Sequence, residues 1–321
     1  MNTATLDVKV SRKWTEVQGI CGFELTAING ASLPSFSAGA HIDVHLPDGL
    51  VRQYSLCNNP NESNRYHIAV LRAADGRGGS KAIHDLVQEG DKVKISEPKN
   101  HFPLAHDAAH HLLLAGGIGI TPILCMAERL SVADENFEMH YCARSRGRTA
   151  FVSRIDSSHF AHRVKFHFDD GDPDQVFDIA KTLEQAPADS HLYVCGPRGF
   201  MDAVLAEARR QNWVEGRLHY EFFGGVVEQS AGDKTFQVKL ASNGVTVDVA
   251  PGCTVVQALA ETGVELLTSC EQGVCGTCLT RVLDGTPDHR DSYLTDEEKA
   301  AGDQFMPCCS RSKTPVLVLD L

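Results

Sequence analysis

Apolar and polar residues alternate in short runs along the first part of the chain, from Leu6 to about Phe102. The stretches HIDVHLPDGLVRQYSL and RYHIAVLR show this alternation, and Pro47, Asp48 and Gly49 interrupt the first of them as a turn. Successive side chains of a strand point to opposite faces of a sheet, so the alternation predicts strands with one buried face. We therefore expect an antiparallel sheet or barrel in this region.

From about His111 the pattern changes to apolar strands that alternate with helices. HLLLA, FEMHYC and HLYVC predict buried strands, and PILCMAERL and FMDAVLAEARR have the apolar spacing of helices. Thr121 and Pro122 are predicted to be the N-cap and the first residue of the first helix. Strands that alternate with helices indicate βαβ units and a parallel sheet, whose ligands bind at the carboxyl ends of the strands.

A third region begins after EQSAGD, residues 228–233, which is small and polar and predicts a short linker. Two alternating runs joined through Asn243 and Gly244 predict a hairpin, and Thr254 with Gln257 predicts a capping box before a helix. The final VLVLDL predicts a closing strand. The chain is thus expected to comprise domains at residues 1–104, 105–227 and 234–321.

Length, net charge and hydropathy exclude some classes of function for this chain. The 321 residues suffice for two or three domains. The net charge of −12 argues against a nucleic-acid partner, because phosphate binding needs clustered Lys and Arg. No segment approaches the ~18 consecutive apolar residues of a membrane span, and the N-terminus lacks the apolar core of a signal peptide. We expect a cytoplasmic protein that contacts no membrane.

Four of the eleven cysteines have a spacing that points to chemistry, whereas the other seven are expected mainly as small buried apolar residues. SCEQGVCGTC places Cys270, Cys275 and Cys278 in one segment, and Cys308 follows later in the chain. This is the spacing of plant-type [2Fe–2S] ligands. The segment must wrap around a small cluster, and its glycines at 273 and 276 supply the conformational freedom.

Two alternative interpretations of these cysteines are weaker. Structural zinc usually takes two pairs with Cys-x2-Cys or Cys/His spacing, and only one such pair occurs here. Disulfides are disfavoured in a reducing compartment. From the residues alone, Cys309 competes with its neighbour Cys308 for the fourth ligand position.

Five segments, SCEQGVCGTC, FMPCCSR, HLLLAGGIGITP, YVCGP and RQYSL, together resemble the phthalate dioxygenase reductase family over nearly the whole chain. The resemblance implies an antiparallel β-barrel that binds FMN and a ferredoxin-reductase-like α/β domain that binds NADH. It further implies a C-terminal β-grasp domain of the plant-type ferredoxin class, with Cys308 as the fourth cluster ligand. The implied partner is a Rieske-type terminal oxygenase, most commonly one acting on an aromatic acid.

The resemblance assigns two segments to the flavin. The first comprises Arg52, Gln53, Tyr54 and Ser55, which by themselves predict only an edge strand. An Arg guanidinium suits phosphate oxygens and a Tyr ring offers a flat face. The second segment comprises Gly78, Gly79 and Ser80, whose backbone N–H groups can cradle a phosphate, although a surface loop is the alternative. Phe223 matches an aromatic residue that lies near the flavin in this family. The alternative interpretation is that Phe223 is only a core residue between two domains.

A glycine-rich turn is the candidate nucleotide site. Gly116, Gly117 and Gly119 lie between a strand and a helix, where backbone N–H groups and the helix dipole favour a pyrophosphate. The turn departs from the Rossmann fingerprint, because Pro122 replaces its third glycine and the next strand ends without an acid for a ribose.

The resemblance places this turn opposite the nicotinamide, with Thr121 near the flavin. Cys195, Gly196 and Pro197 then form a second wall of the same site. Arg144, at the end of the next strand, is a further candidate cofactor-binding residue. Beyond it, Arg146 and Arg148 are candidates to accept a 2′-phosphate, so NADPH stays an alternative to the preferred NADH.

The cofactor set implies a reductase without a catalytic side chain. NADH gives two electrons as a hydride, whereas a [2Fe–2S] cluster takes one at a time, so a flavin between them must store the second. Two other functions remain open: a metal-stapled binding module without redox turnover, and a self-sufficient NAD(P)H oxidoreductase with its own small substrate.

Overall fold

The computed structural model describes residues 5–46, 50–73, 78–172, 175–223, 232–268, 273, 276–291 and 293–321. By its internal contacts the chain divides into two compact units, Met1–Phe223 and Gly224–Leu321. The first unit contains an antiparallel and a parallel sheet, and the second contains a smaller mixed sheet. The turn predicted at residues 47–49 and the linker residues 228–231 lie outside the described residues.

The first sheet of unit 1 confirms the predicted antiparallel region. Its elements are β1 (Thr5–Val17), β2 (Ile20–Ala27), β3 (His41–His45), β4 (Val51–Ser55), β5 (Tyr66–Leu71), α1 (Gly79–Leu86) and β6 (Lys92–Ser96). The six strands have the order β4-β3-β6-β1-β2-β5. The two edge strands β4 and β5 contact each other, so the sheet curls into a barrel around its own apolar core.

The second sheet of unit 1 is parallel, as the alternating strand and helix patterns predict. Its elements are β7 (His110–Gly116), α2 (Ile120–Val132), β8 (Phe137–Ala143), α3 (Val152–Asp156), β9 (Val164–Phe168), α4 (Ile179–Gln185), β10 (Ser190–Gly196), α5 (Arg198–Arg210) and β11 (Leu218–Phe222). The strand order is β11-β10-β7-β8-β9. The chain order reverses around β7, the place where ligands of such sheets bind.

The start of α2 differs from the sequence prediction. Thr121 is not the N-cap, because a 3₁₀ turn at Gly117–Gly119 leads directly into the helix and leaves Gly119 as the N-cap. The hydroxyl of Thr121 donates to the carbonyl of Ile118 at 3.1 Å. Pro122 still lies in the first turn, where its missing N–H leaves no intrahelical bond unmade.

Helix α2 joins the two sheets of the first unit into one core. Its residues from Ile120 to Ala127 are buried, and they pack with Phe137 and Tyr141 of β8 on one side. The same core includes Ile20 and Phe102 from the barrel region. A helix that is apolar nearly all round must be covered on all sides, which explains its place between barrel and sheet.

The second unit confirms the predicted hairpin and capping box. Its elements are β12 (Phe236–Leu240), β13 (Thr246–Val249), α6 (Val255–Glu261), β14 (Thr280–Asp284), β15 (Pro287–Asp288), α7 (Asp296–Ala301), β16 (Gln304–Phe305), β17 (Arg311–Ser312) and β18 (Val316–Leu319). The main sheet has the order β13-β12-β18-β14-β16, so the last strand lies at its centre. Thr254 and Gln257 form both hydrogen bonds of the capping box on α6.

Among the helices of the described residues, none has the length and apolar character needed to cross a membrane.

Candidate functional site

Two glycine-containing turns meet at the carboxyl edge of the parallel sheet. Cys195 of β10 pairs with Ala115 of β7, and this register brings the turns after both strands together. A Cβ on Gly119 would lie 2.2 Å from the carbonyl oxygen of Cys195. A Cβ on Gly116 would lie 2.9 Å from Cδ of Pro197. The structure thus brings the two predicted nucleotide segments into contact, and glycine is what permits the close approach.

The two predicted flavin segments of the barrel also lie together. A Cβ on Gly79 would lie 2.6 Å from Cγ and Nε of Arg52, so the Arg52 side chain packs directly on the first residue of α1. Gly78 precedes this helix with a φ of 85°, a conformation that favours glycine. The Ser80 hydroxyl accepts a hydrogen bond from the N–H of Ala73 at 3.1 Å. Tyr54 is half-buried against the barrel core.

The barrel and the parallel sheet meet at Ser55 and Glu221. The Ser55 hydroxyl donates to Oε2 of Glu221 at 3.3 Å, which links the end of β4 to β11. Oε1 of Glu221 lies 4.0 Å from Nδ1 of His41, a buried ring nitrogen without a hydrogen-bond partner in the described residues. We call this junction the Ser55–Glu221 contact. It joins the β4 segment to the edge of the sheet that carries the two turns.

Burial controls the ionisation of the groups at this junction. Burial raises the pKa of Glu221 to about 7, and the hydrogen bond from Ser55 opposes the rise. Burial lowers the pKa of His41 to about 4 although the charge of Asp43 favours the protonated ring. The thiol of Cys195 has a pKa raised well above its usual value, by burial and by the nearby Glu221 charge. Cys195 is therefore a protonated, inert thiol rather than a nucleophile.

Gln53 extends the polar network inside the barrel. Its side-chain amide nitrogen lies 3.0 Å from Nε2 of His41 and donates to Oδ1 of Asp43, also at 3.0 Å. The Asp43 carboxylate accepts in turn from Nζ of Lys99 at 2.7 Å. The polar side chains around β4 are thereby held by their neighbours, which fixes the strand beside the junction.

Three further predicted residues have different environments. Thr121 is 1% exposed. Phe223 directly follows β11 and is partly buried against the core shared by barrel and sheet. Arg144 is exposed just beyond the end of β8, and its carbonyl accepts from the N–H of Asp170 at 3.2 Å.

The candidate cluster site lies in the second unit, and the structure describes two of its four predicted ligands. Cys278 and Cys308 are 5% and 1% exposed and belong to one small apolar cluster with Met306. Cys270 and Cys275 lie outside the described residues. The sulfurs of Cys278 and Cys309 lie within hydrogen-bonding contact of the Cys308 thiol, and these contacts together with burial raise its pKa.

The glycines of the cluster segment have the conformation expected of a tight wrap. Gly273 and Gly276 have φ values of 74° and 73°. A Cβ on Gly273 would lie 2.4 Å from Sγ of Cys309 and 3.0 Å from Cα of Asp291. Buried cysteine sulfurs that lie close together, with the backbone packed around them, are suited to bind the iron of an iron–sulfur cluster. They are less suited to cations such as Mg²⁺ or Ca²⁺, which prefer oxygen ligands. The described residues therefore fit a [2Fe–2S] cluster.

Sequence reasoning missed two features of these sites. Glu221 lies in the largely aromatic run HYEFF. The only signal in the sequence that it has a special role is that it is a charged residue among aromatic ones. In the second unit, the carboxylate of Asp291 accepts from the N–H of Leu294 at 2.9 Å and from the Ser310 hydroxyl at 3.3 Å. Asp291 thus braces the backbone next to Gly273 and Cys309, although its segment has only the character of a polar loop in the sequence.

Comparison with known proteins agrees with this geometry. Residues 238–313 match the family model of the 2Fe-2S iron-sulfur cluster binding domain. The vanillate O-demethylase oxidoreductase of Pseudomonas putida is 54% identical over 317 residues, covering 98% of this chain and 100% of the relative. The phthalate dioxygenase reductase of Burkholderia cepacia is 41% identical over 317 residues, covering 98% of this chain and 97% of the relative.

Solved structures show the same architecture. A structure of phthalate dioxygenase reductase, described as modular for electron transfer from pyridine nucleotides to [2Fe-2S], superposes with a TM-score of 0.81 and 40% identity. It covers 99% of this chain and 98% of that chain. An intact type IV self-sufficient cytochrome P450 monooxygenase matches at a TM-score of 0.80 and 36% identity, over 99% of this chain and 41% of its own.

The resemblance inferred from the five segments is thereby confirmed, as are the expected fold class and the expected oxidoreductase character. The chain belongs to the phthalate dioxygenase reductase family, the reductase components that supply electrons to oxygenases.

Proposed function

We propose that this chain oxidises NADH and passes the electrons through FMN and a [2Fe–2S] cluster to a Rieske-type terminal oxygenase. The observation that carries the proposal is the Ser55–Glu221 contact. It joins the flavin segment of the barrel to the sheet edge that bears both nucleotide turns, in a chain that also contains a [2Fe–2S] domain. The proposed domain limits are 1–104, 105–227 and 234–321, with 228–233 as the linker.

FMN is assigned to the barrel face formed by Arg52, Gln53, Tyr54 and Ser55 together with residues 78–80. The packing of Arg52 on Gly79 supports this assignment, because it sets a guanidinium beside the N-terminal turn of the eight-residue helix α1. Backbone N–H groups at a helix start and a guanidinium both favour a phosphate. We assign the flat face of Tyr54 and the hydroxyl of Ser55 to the ring system.

NADH is assigned to the carboxyl edge of the parallel sheet. Gly116, Gly117 and Gly119 would hold the pyrophosphate, and residues 195–197 would form the opposite wall. Thr121 and Phe223 are assigned to the boundary with the flavin. Thr121 lies in α2, the helix between barrel and sheet, and Phe223 packs against the same core, which supports that assignment. Holding the hydride donor against its acceptor is the main contribution that the protein can make to this step.

The cluster is assigned to the thiolates of Cys270, Cys275, Cys278 and Cys308. When bound, FMN takes up the electron pair of NADH and delivers single electrons, which a [2Fe–2S] cluster accepts one at a time. The chain contributes buried sulfur ligands, and the bracing of Asp291 keeps their surroundings rigid.

The proposed partner is an oxygenase that O-demethylates a methoxylated aromatic acid. The name of the 54% identical relative, vanillate O-demethylase oxidoreductase, supports this class over phthalate-type dioxygenases. We also propose that the protein is located in the cytoplasm, because the cysteine thiolates must stay reduced to bind the cluster and the protein needs a supply of NADH.

The purified protein provides the test. We expect flavin absorbance together with the red-brown absorbance of iron–sulfur, acid-labile sulfide, and FMN on extraction and chromatography. Coupled turnover with vanillate and phthalate oxygenase components, scored by product formation, should favour the former. A colourless, zinc-loaded preparation would instead support the binding module. Substrate turnover without any protein acceptor would support the self-sufficient oxidoreductase.

A further inference from the structure

The direction in which a dinucleotide crosses the parallel sheet follows from the strand order. The Ser55–Glu221 contact joins the barrel, to which the flavin is assigned, to β11 at one side of the sheet, so the reacting end of the nucleotide belongs on that side. The glycine turn for the pyrophosphate follows β7, the next strand in the order. The adenosine half then continues in the same direction, past the carboxyl ends of β8 and β9. This reasoning rests on the proposed function.

Two aspartates stand at that end of the sheet. Asp169 and Asp170 directly follow β9, and their N–H groups donate to the carbonyls of Ala143 at 3.1 Å and Arg144 at 3.2 Å. Both residues are exposed, and no ion pair of either occurs within the described residues. The Asp169 charge adds to the effect of burial in raising the pKa of Cys142, on β8, to about 12. Asp169 is therefore close to the end of β8 as well as of β9.

One of the arginines at the same end already has a partner. Arg146 donates to the Asp156 carboxylate at 3.2 Å and lies 6.0 Å from the centre of the Phe166 ring. Arg144 and Arg148 are exposed. The segments 144–148 and 169–172, which directly follow β8 and β9, contain three arginines and three aspartates, and a fourth aspartate, Asp156, accepts a hydrogen bond from Arg146. Such a balance gives a doubly negative 2′-phosphate no net attraction.

We infer that Asp169 and Asp170 receive the adenosine ribose of NADH and exclude the 2′-phosphate of NADPH. A carboxylate accepts hydrogen bonds from a ribose hydroxyl, and it repels a phosphate at the same place. The acid that is missing at the end of β8 is supplied by the neighbouring strand, because the bonds to Ala143 and Arg144 bring the two chain segments together.

The test is to replace each carboxylate by its neutral isostere, as Asp169→Asn and Asp170→Asn. The flavin-dependent reduction of ferricyanide is measured with NADH and with NADPH. For at least one variant we expect kcat/KM for NADH to fall about tenfold and the value for NADPH to rise, which shifts their ratio more than tenfold. Titration calorimetry on the oxidised holoprotein should show weaker binding of 5′-AMP and tighter binding of adenosine 2′,5′-bisphosphate.

Asp134→Asn is the matched control. Asp134 is exposed near the far end of α2 and has a φ of 56°, which Asn tolerates. It removes one negative charge from the same unit and should leave the nucleotide ratio unchanged. Asp156→Asn is an independent variant that releases Arg146 and should raise only the NADPH value.

Two results would overturn the inference. One is an unchanged nucleotide ratio and unchanged binding of adenosine 2′,5′-bisphosphate in both Asp169→Asn and Asp170→Asn. The other is an equal shift in Asp134→Asn. In either case, continued NADH oxidation by the wild type would leave the proposed function standing. If the wild-type holoprotein oxidises neither nucleotide, the proposed function itself fails.

Discussion

Ser55 and Glu221 meet at 3.3 Å although 166 positions separate them, whereas Gly273, Gly276 and Cys278 share one short segment of the second unit. The first junction exists only because the barrel and the parallel sheet pack around α2. The second is set by the local conformation of a few glycines. The flavin and nucleotide region should therefore respond to changes in packing, and the cluster segment to changes in single ligands or glycines.

The largest effect is expected from Cys308→Ser. This variant should lose the cluster and with it the transfer of electrons to one-electron protein acceptors such as cytochrome c, while reduction of the flavin by NADH continues. Cys309→Ser should be mild, because Sγ of Cys309 lies 3.7 Å from the Met306 carbonyl oxygen, which it can bond as a thiol. EPR of the reduced protein and stopped-flow flavin absorbance measure the two steps separately. A Cys308→Ser protein with a normal EPR signal would assign the fourth ligand to another residue.

A second large effect is expected from Gly273→Ala. The new Cβ would clash with Sγ of Cys309 and with the backbone of Asp291, in a left-handed conformation that costs Ala about 1 kcal/mol by itself. With overpacking included, we expect a loss of about 2–4 kcal/mol in unfolding free energy and a lower iron content. Gly244→Ala is the control, since Gly244 has a φ of 72° but open space around it. Equal losses in both variants would show that strain alone, and not the packing of the cluster segment, is responsible.

A pH-dependent effect is expected at the Ser55–Glu221 contact. Burial raises the pKa of Glu221 from 4.5 to about 7, so the folded protein holds this proton more tightly than the unfolded chain does. The resulting stabilisation is complete below pH 4.5 and is lost as the pH rises through 7. Between pH 5 and pH 8 the wild type should lose about 2–3 kcal/mol more unfolding free energy than Glu221→Gln. Parallel denaturation curves of the two proteins at each pH provide the measurement, and identical pH profiles would contradict the assigned ionisation.

The smallest effect is expected from Gly79→Ala. The added methyl group would displace the Arg52 side chain, which now packs at 2.6 Å from that position. We expect FMN affinity to fall about tenfold, roughly 1.4 kcal/mol. Gly199→Ala is the control, because Gly199 lies in α5 with nothing near the new Cβ, and Ala favours a helix. Fluorescence titration of the apoprotein with FMN gives both affinities, and equal values would remove Arg52 from the phosphate site.

The same contrast explains which parts of the fold could be predicted. Alternation and turn residues predicted the antiparallel strands, the hairpin at Gly244 and the capping box at Thr254, because these depend on neighbouring residues. The start of α2 was predicted two residues too late, since its N-cap is Gly119 and not Thr121. The 3₁₀ turn before it depends on the close contact of Gly119 with Cys195, a residue far along the chain.

The sequence by itself determined the spacing of Cys270, Cys275 and Cys278, the alternation of strands and helices and the glycine turns, since each depends on residues a few positions apart. Only the tertiary structure decided that Glu221 faces Ser55 and that Asp169 stands beside the end of β8. The physical reason is that burial and charge at these places come from strands brought together by packing, and no local pattern records which distant strands will be neighbours.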